Sequence, residues 1–114
     1  MKRVWCWRCK AWVQALDESE YRPIHELWLR NTMSAKVARS NGMTLEDAQS
    51  HYAPLIAAHE KLTGERGVSV KEIYNHYLEN FGPPCQACCK NLRTPRARQC
   101  FECGWDGYAQ PAEQ

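Results

Sequence analysis

The chain has 114 residues, 25% of them charged, and a formal charge of +2 from 15 Lys and Arg against 13 Asp and Glu. This length allows one ordinary domain, or a small helical domain with a smaller appendage, and excludes larger architectures. The near balance of charge excludes binding to nucleic acid by overall charge alone, so such binding would need a local basic patch. No apolar run has the length of a signal peptide or a membrane span, and we therefore expect a cytoplasmic protein.

The chain begins with a Cys-x-x-Cys pair, Cys6 and Cys9, set among Trp5, Trp7 and Trp12. Thiols stay reduced in the cytoplasm, so this spacing indicates redox or metal chemistry rather than a structural disulfide. A thioredoxin-type redox site needs a strand and much of a βαβ unit before it, and only five residues precede Cys6. We therefore favour part of a zinc site, with free thiols packed among the tryptophans as the alternative.

Three helical patterns follow, each with recognisable start and stop signals. They cover residues 17–41, 44–64 and 69–81. Each begins at a side chain that can cap the first turn, and a glycine follows each of them closely or ends it. Pro54, inside the second pattern, indicates either a kink or the start of a further helix. The sequence thus predicts a mainly α fold, with a three- or four-helix body.

The composition changes after Phe81, where four cysteines have the spacing C-x2-C-x11-C-x2-C. They are Cys85, Cys88, Cys100 and Cys103. Two residues between cysteines let one tight turn present both sulfurs to a metal, and two such turns complete a tetrahedral zinc site. Protein side chains fill all four positions, which is typical of structural zinc. Between the turns, residues 92–94 and 99–101 predict a β-hairpin.

This segment resembles a zinc ribbon, and more narrowly the short double-zinc-ribbon type of many bacterial proteins, over residues 84–105. The resemblance implies bound Zn²⁺ and a bacterial protein, and it assigns no activity. Cys89 stands where such ribbons commonly have Gly, which leaves Cys88 and Cys89 as alternative ligands. We therefore divide the chain into three parts: the first Cys-x-x-Cys knuckle (Cys6 and Cys9) with the helical body at 1–84, the zinc ribbon at 85–108 and a tail at 109–114.

Two arrangements remain open for Cys6 and Cys9. In one, they share a zinc ion with one C-terminal pair and leave the other pair spare. In the other, they form a second zinc site with two histidines. The candidates are His25, His51, His59 and His76. We therefore expect one Zn²⁺ and allow for two.

Enzymatic motifs are weak in this sequence. His25-Glu26 and His59-Glu60 each begin like the zinc-protease motif H-E-x-x-H, but both lack its second His. Neither the H-x-E pattern of zinc deaminases nor a glycine-rich phosphate loop is found. We therefore expect no catalytic activity and no small-molecule substrate.

Five Trp and five Tyr favour a protein-binding module, because Trp, Tyr and Arg are the side chains that anchor interfaces. The expected contact residues are Trp5, Trp7, Trp12, Lys90, Arg93, Arg96 and Arg98. A compact, metal-stabilised protein of this kind would suit an inhibitor, such as an immunity protein that neutralises a toxin. The alternative is a nucleic-acid-binding ribbon that uses the same basic residues beside Phe101 and Trp105. A membrane partner is not expected.

Overall fold

The computed structural model describes residues 1–106, so the expected tail at 109–114 lies outside the described residues. This part is mainly helical, with a small two-stranded antiparallel sheet. The chain divides into two compact units. The helical unit is Glu18–Asn75, and the knuckle unit combines residues 1–17 with the segment that begins at His76. This division differs from the boundary expected at residue 84, because the first Cys-x-x-Cys pair groups with the C-terminal cysteines rather than with the helices.

The knuckle unit begins with a β-hairpin whose turn is the first Cys-x-x-Cys pair. β1 (Lys2–Cys6) and β2 (Ala11–Ala15) are antiparallel, with Val4 opposite Val13. Alternate residues of both strands are buried, and this face packs against Phe81. The hairpin is not among the predicted elements, because the alternation extends over only five residues on each side of the turn.

A parallel bridge joins the end of the hairpin to the start of the C-terminal segment. The Leu16 N–H donates to the His76 carbonyl at 2.9 Å, and the Leu78 N–H donates to the Leu16 carbonyl at 2.8 Å. The third helix, predicted over 69–81, is therefore wrong beyond Asn75. The backbone groups of His76 and Leu78, which would otherwise continue the helix, form hydrogen bonds with Leu16 instead.

The C-terminal segment presents its cysteines in turns. It begins with a 3-10 turn, Leu78–Asn80, and its one bridge pairs Pro84 with Asn91. Within residues 1–106, neither 92–94 nor 99–101 is a strand, so the predicted ribbon hairpin is not formed there. The middle of this stretch is occupied by a turn in which the Ala97 N–H donates to the Thr94 carbonyl at 3.1 Å.

Asn91 joins β1 to the C-terminal segment. Its Oδ1 accepts the Trp5 N–H at 3.0 Å, and its Nδ2 donates to the Gly82 carbonyl at 2.9 Å. The residue is 9% exposed, so both bonds are largely shielded from water. Gly82 itself allows a close approach, since a Cβ there would lie 2.8 Å from the Leu92 Cβ.

The helical unit is built around one long helix. Its helices are α1 (Glu18–Ser40), α2 (Leu45–Ala48), α3 (Ala53–Thr63) and α4 (Val70–Asn75), with a 3-10 turn at Gln49–Tyr52. Thr44 caps α2 as predicted, since its Oγ1 accepts the Asp47 N–H at 3.1 Å. Pro54 lies in the first turn of α3. A further helix therefore begins there, which is one of the two predicted alternatives.

A buried amide connects α1 to α3. Asn31 is 8% exposed, and its Oδ1 accepts the Leu55 N–H at 3.2 Å. This satisfies one of the first-turn amides that a helix leaves without an internal partner. Ile24, Leu55 and Ile73 are buried in this unit. No helix within residues 1–106 combines the length and the apolar character needed to cross a membrane.

We expect Asn91→Ala to lower the free energy of unfolding of the zinc-loaded protein by about 2–3 kcal/mol, because it removes two shielded hydrogen bonds at once. Urea denaturation followed by tryptophan fluorescence measures this change. The matched control is the exposed Asn41, whose replacement by Ala should change stability by at most about 0.5 kcal/mol. Equal effects of the two substitutions would contradict a linking role for Asn91.

Candidate metal centre

Four cysteines of the knuckle unit bring their sulfurs together. The Sγ atoms of Cys85, Cys88, Cys100 and Cys103 all lie within 4.8 Å of one another. Two of the separations, Cys85 to Cys103 and Cys88 to Cys100, are 3.7 Å. A tetrahedral zinc site with Zn–S bonds of about 2.3 Å has an S–S edge of about 3.8 Å, whereas a disulfide bond is about 2.05 Å long. The four cysteines are therefore positioned for metal binding, and their spacing fits Zn²⁺.

Each C-terminal pair lies in the same kind of tight turn. The Cys89 N–H donates to the Cys85 carbonyl at 2.9 Å, and the Gly104 N–H donates to the Cys100 carbonyl at 2.8 Å. The residue after the second cysteine has a left-handed backbone in both turns, with φ of +70° at Cys89 and +85° at Gly104. The Ala87 N–H then points at the first sulfur, 3.3 Å from Cys85 Sγ. These turns present both sulfurs of a pair to one point.

The choice between Cys88 and Cys89 as ligand is decided by this turn. Cys88 Sγ belongs to the four-sulfur cluster, whereas Cys89 is exposed and takes the left-handed position in which Gly104 stands in the other turn. Only the first of two adjacent cysteines can face the metal, because the backbone reverses at the second.

The pKa values of the thiols indicate that the four cysteines do not all lose their protons unless a cation binds. Burial raises the pKa of Cys85, but the backbone N–H groups of Cys88 and Ala87 outweigh it and lower this pKa to about 7. Burial raises the pKa of Cys88 to about 12. The pKa of Cys103 is lowered by the Trp105 backbone but raised overall by burial and the neighbouring thiols. One thiolate thus makes its neighbours keep their protons, and a divalent cation that binds here must displace them.

Two of the basic residues expected to bind a partner contact aromatic rings of their own unit. Lys90 Nζ lies 4.0 Å from the centroid of Trp5, and Arg93 Cζ lies 4.6 Å from that of Trp7 and 4.8 Å from that of Phe101. Trp5 and Trp7 are half-buried. These cation–π contacts hold the hairpin against the C-terminal segment.

The other expected contact residues remain accessible. Trp12 is 39% exposed and meets the edge of the Trp5 ring at a centroid distance of 5.7 Å. At least one of the three neighbouring tryptophans therefore reaches the surface. Arg96 and Arg98 are also exposed. A partner-binding role for all these residues stays a prediction.

The first pair, Cys6 and Cys9, is not part of the four-sulfur cluster. Cys6, Cys9 and His76 instead offer ligand atoms within 4.8 Å of one another, so the knuckle unit has two groups that could hold a metal ion. Of the four histidines, all in the described part, only His76 belongs to such a group. It follows α4 directly and lies 67 positions from Cys9, so no spacing rule could single it out from the sequence.

His25, His51 and His59 belong to the helical unit. His25 stacks on Trp28, with ring centroids 6.0 Å apart. His59 is buried at 1% exposure, and His51 borders a surface groove. The expectation that two histidines join Cys6 and Cys9 is thus met by His76 alone within residues 1–106.

A further surface, on α1, was not predicted. Leu29, Met33 and Val37 are 48%, 63% and 56% exposed although they are large and apolar. Met33 and Val37 line an open groove that Met43 and His51 also border. The spacing of four residues could have revealed a single helix face, but spacing alone does not distinguish an outward face from a buried one.

We expect Cys88→Ser to remove the zinc ion of the four-cysteine centre and Cys89→Ser to retain it. The two cysteines are adjacent, but only the first has its sulfur in the cluster. Native mass spectrometry should show one zinc ion fewer per chain for Cys88→Ser and an unchanged count for Cys89→Ser. Loss of zinc from the Cys89 variant would contradict the ligand assignment.

Comparison with known proteins adds no family to these observations. No family model, curated protein or solved structure matches the chain. The likeness to a zinc ribbon therefore depends on the four cysteines and their geometry, and function must be argued from the surfaces of the two units.

Proposed function

We propose that the protein is a non-enzymatic protein-binding module whose knuckle unit is stabilised by zinc. The observation that carries this proposal is the exposed apolar face of α1, formed by Leu29, Met33 and Val37. A contiguous exposed apolar surface often marks an interaction site, whereas single exposed apolar residues do not. Methionine suits such a surface, because its flexible side chain adapts to the shape of a partner.

The four-cysteine centre supports a structural rather than a catalytic metal. Cys85, Cys88, Cys100 and Cys103 would occupy all four positions of a tetrahedral zinc ion. A catalytic zinc needs a position for water or substrate. Zinc bound in this way contributes to folding, and the apparent binding energy of comparable structural sites is about 10–16 kcal/mol.

The α1 face fits a helical segment of a partner protein. Leu29, Met33 and Val37 follow one another at intervals of four residues, so they lie on one face and span about 12 Å, or about two helical turns. The groove beside them has polar residues, Asn41 and Asp47, next to apolar Val37 and Met43. An amphipathic helix that inserts apolar side chains between such walls is a common mode of recognition.

Within this class, we propose the narrower role of an inhibitor, such as a cytoplasmic immunity protein that neutralises a toxin. Its support is the small chain, the metal-stabilised scaffold and the ready-made apolar face of α1. A folded interaction surface binds without a large ordering cost, which favours tight complexes.

We expect the double variant Met33→Gln and Val37→Gln to weaken the partner complex at least about tenfold, because it removes two apolar anchors from the middle of the face. Both side chains are more than half exposed, so folding and zinc content should be retained. The protein is first purified from its own cells, and any protein bound in a stoichiometric complex is identified. Its affinity for the purified wild type and variant is then measured by isothermal calorimetry.

The control variant carries Lys2→Ala and Glu79→Ala, which change exposed side chains of the knuckle unit outside the expected contact residues and leave α1 intact. This control should bind the partner as the wild type does. A complex that survives the α1 changes, or a face that proves to bind only a second copy of the chain, would overturn the proposal.

A second candidate function, binding of single-stranded nucleic acid, is favoured by the charge of the knuckle unit. Its described basic residues are Lys2, Arg3, Arg8, Lys10, Lys90, Arg93, Arg96 and Arg98, against the acids Asp17, Glu79, Glu102 and Asp106. Arg96 and Arg98 are exposed, and Phe101 is 60% exposed. Exposed cations beside an aromatic ring can grip a backbone and stack a base.

Under the protein-binding proposal, we expect only weak binding of a 20-nucleotide single strand, unaffected by Arg96→Ala and Arg98→Ala. Fluorescence anisotropy at several salt concentrations measures this. If the two arginines instead contact phosphates, their loss should reduce the slope of log affinity against log salt by about 1.4, since each phosphate contact contributes about 0.7. That result would favour the nucleic-acid function.

A further inference from the structure

We propose that Cys6, Cys9 and His76 hold a second zinc ion, separate from the four-cysteine centre. The three donor atoms lie within 4.8 Å of one another. This site goes beyond the proposed function, since it concerns how the knuckle unit is held together and does not depend on the identity of a partner.

The first argument is the backbone of the turn that contains Cys6 and Cys9. The Lys10 N–H donates to the Cys6 carbonyl at 2.8 Å, and Lys10 has φ of +53°. Cys89 and Gly104 make the same bond and take the same left-handed conformation in the two turns of the four-cysteine centre. Lysine adopts this conformation far less readily than glycine. The first pair is therefore folded into a metal knuckle, although its sequence has neither a glycine nor a second cysteine at this position.

The second argument is the distance between sulfur and imidazole. Cys9 Sγ lies 3.5 Å from His76 Nε2. Zinc bonds of about 2.3 Å to sulfur and about 2.05 Å to nitrogen give a tetrahedral S–N edge of about 3.6 Å. The pair thus has the separation of two ligands of one zinc ion.

The third argument is the position of the donors in the fold. Cys6 ends β1 and is fully buried, and His76 is 1% exposed. The His76 carbonyl is held by the Leu16 N–H at 2.9 Å, so the backbone pairing that ends α4 also fixes the start of the histidine side chain. The fold thus brings the ligand atoms of two buried residues that are distant in sequence within 4.8 Å of each other.

The fourth argument is charge. Two thiolates offset the +2 charge of Zn²⁺ and a neutral imidazole adds none, so these three ligands and the ion together have no net charge, which lowers the electrostatic cost at the buried Cys6 and His76. A mixed set of sulfur and imidazole ligands also selects zinc over magnesium or calcium, which prefer oxygen. Zinc in proteins takes four ligands, so one further donor completes the loaded site.

A zinc ion at this position would close the chain between Cys9 and His76, which are separated by 67 positions. The metal would hold the N-terminal hairpin against the segment that contains the four other ligands. Cross-links over long chain segments restrict the unfolded state most, so this zinc should stabilise the knuckle unit.

Native mass spectrometry of the full chain, purified with zinc and desalted, should show two zinc ions. His76→Asn and Cys9→Ser should each reduce the count to one. The matched controls are His51→Asn and Cys89→Ser, which change a histidine and a cysteine outside both groups and should retain two. One zinc ion in the wild type, or two in the His76 variant, would overturn the proposal.

A measurement on the unaltered chain covers the case in which the variants fail to fold. X-ray absorption at the zinc edge reports the average ligand set per zinc ion. The proposal predicts about three sulfurs per zinc with a detectable imidazole contribution, whereas the four-cysteine centre alone gives about four sulfurs and no imidazole. The second result would refute the site. It would leave the protein-binding proposal untouched, since that proposal is tested on α1.

Discussion

The knuckle unit depends on one constraint: thiols placed close together cannot all ionise unless a cation is present. Cys85 has a lowered pKa, whereas Cys88 and Cys103 have raised pKa values. The four-sulfur cluster is therefore costly as a set of charges and favourable as a set of ligands. Zinc binding would turn these neighbouring thiols into a cross-link between the two C-terminal turns.

The surroundings of the four-cysteine centre suit its charge. A zinc ion with four thiolates is an anion of charge about −2. Lys90 and Arg93 lie in the same segment and stack on Trp5 and Trp7 of the hairpin. The same two cations can thus offset the thiolates and join the hairpin to the C-terminal segment. This gives the basic residues a role inside the unit and weakens the case that all of them serve an external partner.

The helical unit has exposed apolar side chains on α1. α1 buries Ile24, Asn31 and Ala35 on one face, whereas Leu29 and Met33 point away from that face and stay exposed. Within residues 1–106, about half or more of each side chain in this second apolar stripe stays exposed. A helix that is apolar on two faces usually meets two neighbours, and the second neighbour of α1 would be the partner protein that we propose.

Local signals in the sequence determined the elements whose causes are local. Thr44 caps α2, Pro54 lies in the first turn of α3, and each C-terminal Cys-x-x-Cys pair forms a turn that positions its sulfurs for metal binding, because each effect acts within a few residues. Pairing between distant segments decided the rest. Only the tertiary structure could end α4 at Asn75 and bring His76 to Cys9, since backbone bonds to Leu16 compete with helical bonds and leave no trace in the local pattern.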